Sequence, residues 1–155
     1  MLRLEPVSPK RLALREVDPF LTQCLFELPQ ILERREGPEI RGRFFQDLVA
    51  DDAVANEDWH KLVDFELHHL FASAGEIVAR DLTGLQDGTV EFPIEHVSAW
   101  LNAINQARLI LAEQHQVTAL DLARLDFDPH DQRDVALARI LVFEDVLVLL
   151  IDHES

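Results

Sequence analysis

The chain has 155 residues, 48% of them apolar, with 29 Asp and Glu against 14 Lys and Arg and a net charge of −15. That length matches one domain with enough apolar side chains for a core, which excludes wholesale disorder. The charge is uneven: residues 1–43 hold eight basic and seven acidic side chains, whereas residues 44–155 hold six and twenty-two and so carry −16. A surface of this sign repels nucleic-acid phosphates and anionic lipid, so no nucleic acid and no membrane is expected as a partner, and a basic protein surface is.

Cys24 is the single cysteine. It cannot form an intramolecular disulfide, and no basic-then-apolar leader opens the chain, so the expected compartment is the reducing cytoplasm. The most apolar run, residues 140–151, is interrupted by Glu144 and Asp145. It falls short of the roughly 20 residues that span a bilayer and is expected to be a buried helix.

Residues 2–7 and 11–17 alternate apolar and polar side chains around Ser8-Pro9-Lys10, which predicts an N-terminal β-hairpin over residues 1–17. Asp18-Pro19 has the form of an N-cap followed by a first-turn proline and predicts a helix over 18–34, kinked or ended early by Pro29. Gly37-Pro38 and Gly42 mark a loop. Asn56, with Glu57 and Asp58 behind it, opens a second helix over 56–82, with Trp59, Val63, Leu67, Leu70, Ala74, Ile77 and Val78 on one face. Residues 83–88 then form a turn and 89–92 a third short strand. Pro93 opens a helix over 93–115, with Val97, Trp100, Ile104, Ala107 and Leu111 on its apolar face. Residues 116–127 connect it to a last helix over 129–152, announced by a second cap-plus-proline pair, Asp128-Pro129. The expected fold is mostly α, a single helical domain with a four-helix core and a small N-terminal β-hairpin.

Few residues suggest chemistry. His60, Asp64 and His68 recur every four residues, but three side chains along one helix spread too far to close around one ion. The stretch starting at His68-His69 is superficially similar to a histidine phosphotransfer motif, yet Phe71 and Ala72 stand where Lys and Gly belong, and without the cation a phosphoryl group loses its charge stabilisation. A calcium loop beginning at Asp126 would need Gly at 131 and Glu at 137, where Asp131 and Leu137 stand. Cys24 has no motif-supplied base and is expected to be a small buried side chain. No phosphate loop or nucleophile elbow occurs. Catalytic, cofactor-binding and metal-ligating residues are therefore assigned to none, and no cofactor is expected.

Two charges sit awkwardly on apolar stripes. Glu144 lies among Ile140, Leu147 and Ile151, and Arg108 lies four residues after Ile104. Two facing helices would give each a partner, so a buried or half-buried Arg108 and Glu144 pair is expected, with Asn105 completing nearby hydrogen bonds. On this reading Trp100, Asn105, Arg108 and Glu144 form a polar cluster, either a clamp fixing helix register or the floor of a pocket.

Residues 100–109, Trp-Leu-Asn-Ala-Ile-Asn-Gln-Ala-Arg-Leu, resemble the Trp-Leu, Asn and Arg-Leu signature of a largely actinobacterial family, domain of unknown function number two thousand and seventeen. Trp100, Asn105 and Arg108 match it, while Gln106 stands where the family often has Asp. The surrounding order is also similar: a hairpin, an acidic helix after Phe44-Phe45, the signature, and a closing apolar helix. The resemblance implies no activity, cofactor or catalytic residue. Its setting beside the adaptor of the Clp protease implies a link to Clp-type proteostasis. The expected function is a non-catalytic cytosolic interaction, adaptor or regulatory protein, with a homodimer formed through the near-neutral residues 1–43. The alternative is a small-ligand-binding protein or metal-dependent enzyme using polar residues within the bundle.

Overall fold

The computed structural model describes residues 1–33, 73–124 and 126–154. Strands β1 (Arg3–Ser8) and β2 (Arg11–Arg15) form the expected antiparallel hairpin, with Leu4 opposite Leu14 and Pro6 opposite Leu12. The third strand, β3 (Val90–Pro93), lies antiparallel against the other edge of β2, giving the order β1-β2-β3. As the central strand, β2 buries Leu12, Ala13 and Leu14. Two residues with positive φ, Asp87 at 52° and Gly88 at 73°, make the tight turn before β3, and Gln86 and Thr89 exchange backbone hydrogen bonds at 3.0 Å across it. That is the Asp-Gly chemistry of a two-residue hairpin turn. The Gly88 carbonyl accepts from the Val17 amide at 3.0 Å, tying the turn to the end of the hairpin.

The helix expected over 18–34 is two helices, α1 (Pro19–Phe26) and α2 (Leu28–Glu33). Asp18 caps α1, its Oδ1 accepting from the Leu21 amide at 2.7 Å. The division falls two residues before Pro29, whose ring bars an unbroken α-helical turn and whose nitrogen donates nothing. Helix α3 is described over residues 73–82 and buries Ala74, Val78 and Leu82, one side chain per turn. The rest of the helix expected over 56–82 lies outside the described residues. So do the 35–43 loop, Phe44-Phe45, the His60, Asp64 and His68 row and most of the His68-His69 motif.

Three boundaries differ from expectation, each for a local reason. Pro93 does not open a helix but closes β3: Ile94 donates its amide to the Lys10 carbonyl at 2.9 Å, and a 3₁₀ turn (Ile94–His96) precedes α4 (Val97–Gln114). The 116–127 connection contains a short helix, α5 (Ala119–Leu122), closed by a capping box in which Thr118 and Asp121 each accept the other's amide. The last helix, α6 (Gln132–Glu154), starts three residues after Pro129. Asp128 and Pro129 make a turn instead, and the cap is Asp131, whose Oδ1 accepts from the Arg133 and Asp134 amides at 2.9 and 3.3 Å.

Helices α4 and α6 form the most extensive helix contact and run antiparallel, with α2 covering α4 and α1 leaning on α6. The core between them and the sheet is built from Phe92, Trp100, Ile104, Leu111, Ile140, Phe143 and Leu150. The fold is mostly α with a small antiparallel sheet at the N-terminus. Among the described residues no helix is long and apolar enough to cross a membrane.

Candidate functional site

Helical geometry divides the 100–109 segment between two sides of α4. At about 100° per residue, Trp100, Ile104 and Leu111 share the core side, while Leu101, Asn105 and Arg108 are rotated by roughly one residue onto a flank. On α6, Glu144, Leu147, Val148 and Ile151 follow the i, i+3, i+4, i+7 pattern and face that flank. Together with Asn102 these rows line an open cleft of about 420 Å³. Leu101, Leu147, Val148 and Ile151 supply its apolar wall, and Val148 and Ile151 remain 56% and 53% exposed.

Asn105, Arg108 and Glu144 come together in the cleft. Arg108 Nη2 donates to Asn105 Oδ1 at 2.8 Å, whereas Nη1 is 3.7 Å from Glu144 Oε1. The two charged side chains are 30% and 37% exposed, so this is a loose ion contact at a half-buried edge and not a sealed clamp. The Arg108 Nε is shut off from water and meets no acceptor. The Glu144 side chain is thus only partly covered and loosely paired. Among the described residues the lining contains no hydroxyl, thiol or imidazole. The cleft therefore offers apolar area, two amides, one cation and one anion, which serve binding and supply no nucleophile and base pair.

Trp100 does not join this group. It is fully buried on the opposite side, stacked on Phe92 with ring centroids 4.7 Å apart, and its Nε1 donates to Asp81 Oδ2 at 2.9 Å. The His96 Nδ1 lies 2.8 Å from the same oxygen. Asp81, at the end of α3, is thus closed between β3, the 3₁₀ turn and α4. A buried indole N–H needs an acceptor, but its position 19 residues away in the chain is set by tertiary packing and left no local signal.

A second polar assembly also escaped the sequence. Arg133 binds Asp121 with its two Nη atoms at 2.7 and 3.1 Å, and its Nε donates to the His115 carbonyl at 3.0 Å. Arg124 binds Asp134 at 2.7 and 3.0 Å, and Asp134 also accepts the Asp128 amide at 2.9 Å. The Arg133 guanidinium, with the Thr118 amide, holds the Asp121 carboxyl well below the usual carboxylate range. Arg124, with the Asp128 amide, lowers Asp134 in the same way. These bidentate pairs fasten the end of α4, α5 and the start of α6 to one another.

Burial pushes the Cys24 thiol up to about 11, which keeps it protonated and unreactive near neutral pH. Asp128 and Asp131 spend their Oδ1 atoms on backbone amides of their own turn. Among the described residues no three His, Cys, Asp or Glu side chains gather as a metal cage.

No curated protein and no solved structure matches the chain. Residues 11–151 match the family model described as Domain of unknown function (DUF2017), and the chain belongs to that family.

Proposed function

We propose that the protein is a non-catalytic interaction module of the adaptor type, and that its α4 and α6 cleft takes a basic, apolar segment of a protein partner. The observation that carries this reading is the combination of exposed apolar walls with a loosely held carboxylate, Glu144, at their edge. Burying Val148 and Ile151 against a partner's aliphatic side chain removes apolar area from water. A partner Lys or Arg can meet Glu144 without first breaking a tight ion pair, and Asn102 and Asn105 can serve an extended backbone. The net charge of −16 on residues 44–155 favours encounter with a basic partner. In the cytoplasm, the Clp-type proteostasis link implied by the family resemblance makes the Clp adaptor the first partner to test.

A pull-down from the native host at physiological salt, read by mass spectrometry, tests the proposal. The expected result is a basic partner retained by the parent protein and lost with Glu144→Lys and with Val148→Asp. Recovery of the same proteins with both variants, or of none with the parent, counts against it.

The second reading is a small-ligand site, because a cleft of about 420 Å³ falls in the range of roughly 300–1,000 Å³ found for small-molecule pockets. Its openness on the Val148 and Ile151 side favours a peptide. The homodimer expected through residues 1–43 draws little support from the sheet. Among the described residues β1 is an edge strand, and it carries Pro6 and a register shift between Pro6 and Ser8, two devices that blunt edge pairing.

A further inference from the structure

The α4 and α6 cleft has a direction. Its two charges, Arg108 and Glu144, approach to 3.7 Å. From that contact Leu101 lies seven residues back along α4, and Ile151 lies seven residues on along α6. The helices run antiparallel, the first turn of α6 being held to the end of α4 by Arg133 Nε and the His115 carbonyl at 3.0 Å. Both steps therefore lead the same way, and seven residues of helix rise about 10 Å. The cleft is charged at the Arg108 and Glu144 end and apolar at the Leu101 and Ile151 end, with Asn105 and Val148 between them.

Resting on the reading of this cleft as a partner-binding face, we propose that it selects an extended segment with an aliphatic side chain and a Lys or Arg two residues apart. Asn102 and Asn105 favour an extended chain over a helix. They put carboxamides into the lining, and an extended backbone offers them N–H and C=O groups that a helix has already spent on itself. Asn105 uses its Oδ1 on Arg108, which leaves its amide nitrogen to donate to a backbone carbonyl. Strand geometry sets the spacing. The chain rises about 3.3 Å per residue and successive side chains alternate faces, so residues one or three apart point to opposite sides. Residues two apart share a face at about 6.7 Å, and the flexible stem of Lys or Arg covers the few ångströms that remain to Glu144. Residues four apart also share a face, but at about 13 Å they overshoot the cleft. Glu144 sets the sign. Arg108 is engaged by Asn105 on one nitrogen and faces Glu144 with another, so the carboxylate is the less satisfied charge.

The test is a magnetic-resonance titration of the full, isotope-labelled chain with terminally blocked Gly and Ser peptides. Each peptide carries one Leu and one Lys, spaced one to four positions apart in either order. The side-chain amide resonances of Asn102 and Asn105 report the site. The expected result is tightest binding at a spacing of two, with spacings of one and three weaker by about tenfold. Exchanging the peptide Lys for Glu should abolish binding to the parent and restore it to Glu144→Lys, whose fold is checked by circular dichroism. Equal binding at every spacing, a preference for three or four as a helix would show, or a folded Glu144→Lys that no acidic peptide binds would overturn the motif while leaving the cleft as the binding face. Failure of every Leu and Lys peptide to shift these resonances in the folded parent would overturn the motif and the reading of the cleft together.

Discussion

The two sides of α4 treat a carboxylate in opposite ways. On the core side Asp81 is only 10% exposed and is held at 2.8–2.9 Å by His96 and Trp100. On the outer side Glu144 is more than a third exposed, with the Arg108 guanidinium at 3.7 Å. The Asp121 and Asp134 pairs behave like Asp81, with bidentate arginines at 2.7–3.1 Å. The difference lies in how many elements close around the acid. Where a strand, a turn and a helix converge, donors arrive from several directions and the charge becomes a fastening. Where only two helices meet at an open flank, the charge stays available.

The contrast can be tested from its largest consequence downward. Trp100→Ala removes a fully buried indole, its stacking on Phe92 and a donor to Asp81. It should cost about 3–5 kcal/mol in denaturant unfolding, and Trp100→Phe should cost clearly less. Next comes acid. The folded-state values of Asp121 and Asp134 lie below their unfolded ones, so their contribution is complete above the ordinary carboxylate range near pH 4. It is lost as pH falls through the depressed folded values. Melting temperature should therefore drop more steeply below about pH 4 in the parent than in an Asp121→Asn, Asp134→Asn double variant, and equal slopes would remove these pairs from the closed class.

Smaller still, Gly88→Ala should cost about 1–2 kcal/mol. Its φ of 73° strains any side chain, and a Cβ would sit 3.3 Å from the Val17 carbonyl. The smallest effect is expected at the open edge. A buried Arg108 and Glu144 pair would make Arg108→Leu cost about 3–5 kcal/mol by stranding Glu144. The observed 3.7 Å contact between half-exposed groups reduces that to about 1 kcal/mol or less. A larger loss, restored by adding Glu144→Leu, would return the pair to the closed class.

Much of this was legible in the chain, and the failures follow one pattern. The hairpin, the third strand, the division near Pro29 and the two long C-terminal helices follow from alternation, 3.6-residue periodicity and proline chemistry, all of which are local. Local signals misled where two of them competed. Asp128 and Asp131 both look like caps, and Pro93 suits a strand end as well as a first helical turn. The Thr118 and Asp121 capping box stands in the sequence, but the helix that it opens is only Ala119–Leu122, too short to show periodicity. Of the four cluster residues, Asn105, Arg108 and Glu144 meet because helical spacing puts them on facing flanks. Trp100 is turned to the core by that same spacing, and its real partners, Asp81 and His96, are brought to it by the fold.

The most direct test of the account is a comparison of Glu144→Lys with the parent in partner capture and in melting. An available carboxylate predicts that the variant melts within a degree or two of the parent, as a change of a few tenths of a kcal/mol implies, yet no longer retains the basic partner at physiological salt. A variant that melts far lower, or one that keeps the partner at full strength, would contradict the open cleft as the binding face.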